Sequence, residues 1–464
     1  MYDQATRQLR SSLEERRRIY GGNSADVAEG MDQLGEVLLK DDSLDEAESL
    51  LRSGLGLRRR LFGERSDLTA ESLEHLADLR ANKDAFESSD TLFREALEIR
   101  RELHGDSDLT VATTRAKLGM MLNDKGAFAP SLDQYQQALA IRERRLGPDH
   151  PLTAEAMHGV AGGEERLGRY VDAERHYRAA LASERKALGN SHRSVSMTLN
   201  NLGQMLFKVG RLDEADPLIR EALAINRKLF GEYHDAVSGN LANLALVVRE
   251  RGDFDEAERL LEQGLAIDRR VYGPEHIDVG FDLNEIAVVM RLKGRPDSAV
   301  TILREVVAAI RRLVGEQNVG TLAITVNLGR ALDEAGKDAE AEPLLRGALA
   351  KLDTSNADQR LIVIPARIGL GRVLVNTHRA REALPVLESA VSMSRERQGP
   401  QHWRTGESEV VLARCWMELG KADSAEAPLR DARAVLEKAR RAHPLLGKEA
   451  DAAGVRFAEM RKTK

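Results

Sequence analysis

A single cysteine, Cys415, stands in 464 residues, which excludes intrachain disulfides and any multi-cysteine metal site. Aromatic residues make up only 4% of the chain and there are 12 prolines, so the residues that strands favour are thin on the ground. No run approaches the roughly 18 apolar residues that a membrane span needs. The N-terminal MYDQATRQLR lacks the apolar centre of a signal peptide. Neither sign of charge dominates: 69 Lys and Arg face 75 Asp and Glu, a net charge of −6. A nucleic-acid partner would call for a basic face or stripe, and none is evident. The expectation is a cytoplasmic protein with no membrane and no nucleic-acid partner. What is abundant is a mixture of Ala, Leu, Arg and Glu, 42% hydrophobic and 31% charged, the composition of long helices.

The stretch RLGPDHPLTAE (145–155) has the look of a catalytic loop, with Asp149 beside His150 between two prolines. Its glycine, however, is one of a series. Gly21, Gly63, Gly105, Gly147, Gly189, Gly231, Gly273 and Gly315 lie 42 residues apart. Gly399 follows after two periods, with Ala357 at the skipped position. Such a period marks a tandem array and has to be recognised before any local motif is read. His150, His192, His234, His276 and His402 each fall three residues after their glycine. In stacked repeats such histidines are roughly 10 Å apart, too far for shared metal bonds of about 2 Å. They are expected to be packing or capping groups, with no metal bound.

Each period reads as two helices. In residues 189–230, Leu199, Leu202 and Leu206 recur at helical spacing, KVGRLDEA turns at Gly210, and Leu218, Leu223 and Ile225 mark the inward face of a second helix. Three columns of small residues run through the repeats, exemplified by Gly203, Ala215 and Ala222 in the fifth. They are where one helix meets the next. Val306 is the exception and should widen its contact slightly. Repeats two and three look degenerate, because ANKDAFESS and KGAFAPS lack the usual turn; Pro130 falls at a helix start, where it is tolerated.

These features resemble the tetratricopeptide repeat: LG in the first helix, G-[RD]-x-[DE]-E-A at the turn, and small residues spaced 12 and 7 apart. The 42-residue period, GxxHP-like loops and ALAIRERRLG-like second helices are similar to the longer variety in kinesin light chains. Comparable arrays occur in bacterial tetratricopeptide proteins and in C-terminal arrays of bacterial serine/threonine kinases. The resemblance implies an all-α fold, a right-handed superhelical solenoid of about ten helix-turn-helix repeats. Residues 21–440 are the ten repeats. Residues 1–20 read as the second helix of a partial N-terminal repeat, which either serves as its own cap over Leu9 and Leu13 or continues a longer chain. Residues 441–464 read as a capping helix and basic tail.

A search for chemistry finds no GxxxxGK[ST], HExxH, CxxC or GxSxG, and neither HRD nor DFG. Gly369 and Gly371 of GLGRVL sit in a helix without a preceding strand and read as core packing. Ser183 and Lys186 form SxxK on what reads as a solvated helix face. Cys415 is expected in the core beside Leu412 and Trp416. The pair His176–Tyr177 has no carboxylate nearby in its helix but Glu174.

The expected function is therefore not enzymatic. A protein-interaction scaffold, holding a peptide or partner segment in a concave groove without cofactor or small-molecule substrate, is the first expectation. The alternative is a regulatory arm of a larger signalling enzyme, such as a bacterial serine/threonine kinase, whose catalytic domain is absent. The resemblance places the groove on the first helix of each repeat, giving Asn201, Gln204 and Lys208; Asn243, Leu246 and Arg249; Asn284, Val288 and Arg291; and Asn327 and Arg330. A mid-helix asparagine is neutral to unfavourable unless its amide is used, and an amide suits the backbone of an extended peptide. The mixture favours a peptide with an apolar anchor flanked by acidic residues.

Overall fold

The computed structural model describes residues 2–41, 43–354, 356 and 359–462. These form 22 α-helices, with no strand among the described residues. Helix α1 (Tyr2–Tyr20) precedes ten helix pairs. Repeats one to four pair α2 (Ala25–Lys40) with α3 (Leu44–Phe62), α4 (Asp67–Asn82) with α5 (Phe86–His104), α6 (Leu109–Asp124) with α7 (Phe128–Leu146), and α8 (Pro151–Arg166) with α9 (Tyr170–Leu188); of repeat five, α10 (Arg193–Lys208) ends one compact unit and α11 (Leu212–Phe230) begins the next. Repeats six to ten pair α12 (Asp235–Glu250) with α13 (Phe254–Val271), α14 (Ile277–Leu292) with α15 (Pro296–Val314), α16 (Val319–Glu334) with α17 (Asp338–Lys351), α18 (Arg360–Asn376) with α19 (Ala380–Gln398), and α20 (Trp403–Glu418) with α21 (Ala422–Lys438). Helix α22 (Pro444–Lys462) follows. Each helix packs mainly on its neighbours in sequence, as in an all-α repeat solenoid. Two compact units result, Met1–Val209 and Gly210–Lys464.

The loop that opened the question is a helix start. The Nδ1 of His150 accepts the N–H of Leu152 at 3.2 Å, Pro151 takes the first helical position, and Thr153 donates to the Gly147 carbonyl at 2.8 Å. His192, His234, His276 and His402 accept in the same way at 3.1–3.3 Å. Ser24, Ser66, Asp108 and Asn318 fill that slot in four other repeats and cap with an oxygen. The recurring histidine is thus one of several interchangeable caps. Ala357, at the skipped glycine position, lies outside the described residues.

The turn between the two helices needs a residue at positive φ, usually glycine, as at Gly210 (φ 79°). Repeats two and three, expected to lack this turn, make it. Gly126 adopts φ 81°, and Asp84 takes the left-handed conformation at φ 56°. His378 does the same at φ 60°. A short polar side chain tolerates that region well enough for packing to impose it.

Within pairs such as α2–α3 and α18–α19, small residues on the first helix receive large ones from the second. A Cβ on Gly35 would lie 2.7 Å from Leu51, and one on Gly371 only 2.3 Å from Leu387. Gly369 and Gly371 are therefore packing glycines, as expected. In α11 Leu223 and Ile225 are buried as expected, Leu218 is only half-buried, and Ile219 is fully buried with Ala215 and Ala222. The size of Val306 is met by Gly280, whose Cβ would lie 3.8 Å from it and 2.5 Å from Ile310. Leu13 is buried against Gly30, and Leu9 is half-buried. Ser183 does not lie on a solvated face. It is 4% exposed, while Lys186 reaches out to pair with Asp149 at 2.5 Å. Cys415 is buried, its thiol facing the Ala380 carbonyl at 3.2 Å, and burial pushes its pKa up to about 11.

Candidate binding faces of the two units

The eleven candidate groove residues divide between the units. In the first, Asn201, Gln204 and Lys208 lie on α10 beside α8, which carries Gly159, Gly162 and Gly163. Gly159 is filled by Tyr135, whose ring would lie 2.5 Å from a Cβ there. Gly162 faces open space, with only the Tyr177 hydroxyl within 3.8 Å of its Cβ position. Gly163 is closed off by Leu132, 3.2 Å from its Cβ position, and a cavity of about 260 Å³ lies beside Gly162. Its lining includes Asn123, Tyr135, His158, Tyr177 and all three α10 candidates.

A chain of hydrogen bonds holds this wall. Asn201 donates its amide to His158 Nε2 at 3.0 Å, so the ring proton is on Nδ1, which donates to Thr198 at 2.9 Å. The Thr198 hydroxyl donates in turn to Glu184 at 3.1 Å. Burial lowers the His158 pKa to about 4 and raises that of Glu184 to about 7. Both imidazole nitrogens are thus engaged, and the ring is neutral near pH 7. Tyr177 donates to Glu165 at 3.1 Å, and Lys208 pairs with the same carboxylate at 2.5 Å. His176, for which the sequence offers only Glu174 in its own helix, has Glu164 at 2.7 Å. Both carboxylates come from α8, which spacing along α9 alone does not reveal. The lining thus carries amides, phenols, the His158 imidazole, the Glu165 carboxylate, the Lys208 ammonium and the Arg166 guanidinium.

In the second unit the candidates hold one another. Asn327 donates to Asn284 at 2.9 Å, and Asn284 donates to Glu285 at 3.1 Å. Arg249 pairs with Glu285 at 2.5 Å, and Arg291 with Glu334. Arg330, 4% exposed, meets the buried Glu407 at 2.6 Å, two repeats further on. Glu407 also contacts Arg372 at 3.2 Å, and Arg372 contacts Glu449 at 3.1 Å. Burial works to raise the Glu407 pKa, but Arg330, Arg372 and neighbouring arginines hold it down at about 2. Helices α16, α18 and α20 pack directly on one another here, which brings these charges together. Leu246, Val288 and Asn243, on α12 and α14, are half-buried. The sequence shows Glu285 and Glu334 on the same wall as the arginines, but not that they pair, nor that Glu407 reaches Arg330, because the pairing depends on how tightly the first helices stack.

Among the described residues, no helix is long and apolar enough to cross a membrane, and no group of three or more His, Cys, Asp or Glu is gathered as for a metal ion. A family model described as tetratricopeptide repeat matches residues 26–102, 68–144, 110–186, 193–270, 238–309 and 282–353. No curated protein sequence matches the chain. Among solved structures, BtubC (BKLC) from P. vanneervenii is 25% identical, covering 50% of this chain and 93% of its own, with a TM-score of 0.45. A putative kinesin light chain with nearly identical TPR-like repeats from Podosopora anserina is 17% identical, covering 44% and 96%, with a TM-score of 0.39. The apo form of RapI is 12% identical, covering 80% and 97%, with a TM-score of 0.57. The likeness to RapI is one of fold.

Proposed function

Because the chain belongs to the tetratricopeptide repeat family, whose fold is typical of protein-interaction scaffolds, we propose that it is a cytoplasmic, non-enzymatic scaffold that binds an extended segment of a partner protein. The observation that carries this reading is the cavity in the first unit. Gly162 leaves the space open, Gln204 and Asn123 present amides to it, and Asn201 lines it with an amide that an occupant would take over from His158 and Asn200. An extended backbone exposes both N–H and C=O groups, and an amide answers either. Tyr135 and Tyr177 add flat apolar walls for a side chain. Asn201, Gln204 and Lys208 are the primary contacts in this reading.

Asn243, Leu246, Arg249, Asn284, Val288, Arg291, Asn327 and Arg330 form a second face, where an occupant has to exchange with existing ion pairs. Each of Arg249, Arg291 and Arg330 already has a carboxylate, so this face carries little free positive charge for an acidic peptide.

The test is to select peptides from a displayed random library on the wild type and measure them on two folded variants. Asn201→Ala/Gln204→Ala should lose at least tenfold in affinity, and Arg249→Glu/Arg291→Glu should keep it. Affinity that survives the first and vanishes in the second would transfer the function to the other unit.

A further inference from the structure

Within the second unit, two segments 188 positions apart meet. The turn joining α12 to α13, Glu250–Phe254, lies against residues 441–445, which lead into the start of α22. The Arg441 carbonyl comes so near Gly252 that a Cβ there would be 2.4 Å from it. Gly252 is also at φ 82°, so its position demands glycine twice over. Arg441 pairs with Asp253 at 2.6 Å. His443, only 4% exposed, stacks on Trp403 with ring centroids 3.8 Å apart, and its Nε2 lies 3.5 Å from Glu250. Arg249 and Arg404 flank that carboxylate.

This contact differs from every junction between consecutive repeats. Those are sealed by buried apolar helix faces; this one is two loops joined by a side-chain pair that is 74% and 41% exposed, plus a single imidazole. Neither His443 nitrogen has a hydrogen bond meeting ordinary geometry, although both are buried. A cavity of about 640 Å³ remains beside it, lined by Gly252, Phe254, Leu292, Pro444 and Leu445 among others. An exposed ion pair shifts an equilibrium by only a factor of a few, so the contact is held lightly.

We propose that the Glu250–Phe254 turn and Trp403 form a receptor for an Arg-Ala-His-Pro segment, filled in the resting chain by its own residues 441–444, and that a partner presenting a segment of the same cationic and imidazole chemistry displaces them. The two carboxylates and the indole face take the guanidinium and the imidazole, and the glycine lets the segment's backbone lie flat on the turn. The contact acts as an internal competitor, and it is independent of the cavity in the first unit.

Trp403 reports on the contact. In a Trp416→Phe background it is the sole tryptophan, and a stacked imidazole both shields and quenches it. Arg441→Glu and Asp253→Arg should each increase acrylamide quenching of Trp403 at least twofold, and the double variant Arg441→Glu/Asp253→Arg should restore the wild-type value. A synthetic peptide of residues 438–447 should bind the Arg441→Glu/His443→Ala protein at least tenfold more tightly than the wild type, and should lose that gain when Asp253→Arg is added. Circular dichroism establishes that each variant remains helical. Unchanged Trp403 accessibility in both single variants, or peptide binding indifferent to Asp253→Arg, would overturn the proposal.

Discussion

The inner faces of the two units are built from the same repeat and have opposite characters. In the first, α8 lacks side chains where its neighbours have them, and the gap is lined by amides and phenols. In the second, α12, α14, α16 and α20 fill the equivalent surface with arginines and carboxylates that satisfy one another. A groove residue is therefore not defined by its register alone. Asn201 and Asn327 occupy the same place in their repeats, yet one faces a cavity and the other donates to Asn284. Of the faces that carry the candidate groove residues, the one on α8 and α10 has open space beside its polar groups.

The largest effect that sharpens this contrast is expected at Glu407. It is fully buried and holds two arginines, so Glu407→Ala should cost about 3–5 kcal/mol in the second unit by stranding Arg330 and Arg372. Denaturant unfolding measures it. A loss below about 1 kcal/mol would mean that the pairs are dispensable and that this face is open after all.

Next come two glycines of α8. Gly159→Ala forces a methyl into the Tyr135 ring and should cost about 1–3 kcal/mol. Gly162→Ala meets open space and should stabilise by about 0.5–1 kcal/mol through helix propensity. Equal effects would show that the cavity is filled in solution.

A smaller and pH-dependent effect is expected at Glu184. Burial raises its folded pKa to about 7 from an ordinary value of 4.5. Its contribution to stability is therefore complete below pH 4.5 and is lost as pH rises through 7. Relative to Glu184→Gln, the wild type should lose about 1–2 kcal/mol between pH 5 and 8. Melting curves of the two proteins that stay parallel over that range would place a solvated carboxylate there.

Much of this was legible in the sequence. The 42-residue period fixed the helix pairs, the small-residue columns marked helix contacts, and the histidine loops were recognisable as structural because they recur. Two things were hidden. Asp84 makes a turn that its repeat lacks on paper, because packing imposes a conformation that aspartate tolerates. The partners of Arg330 and His158 come from elements 77 and 40 residues away, and no helical spacing predicts which carboxylate or hydroxyl will arrive. The cavity is hidden for a simpler reason: Gly162 is an absence of side chain, which weakens a helix on paper and leaves space open in three dimensions.

The most direct test of the account is amide hydrogen exchange on the wild-type protein, with and without a peptide selected on it. Protection should gather on α8 and α10, around His158, Gly162 and Asn201, and should disappear in Gly162→Leu, whose larger side chain fills the cavity. Protection confined to α12, α14 and α16, and unaltered by Gly162→Leu, would contradict it.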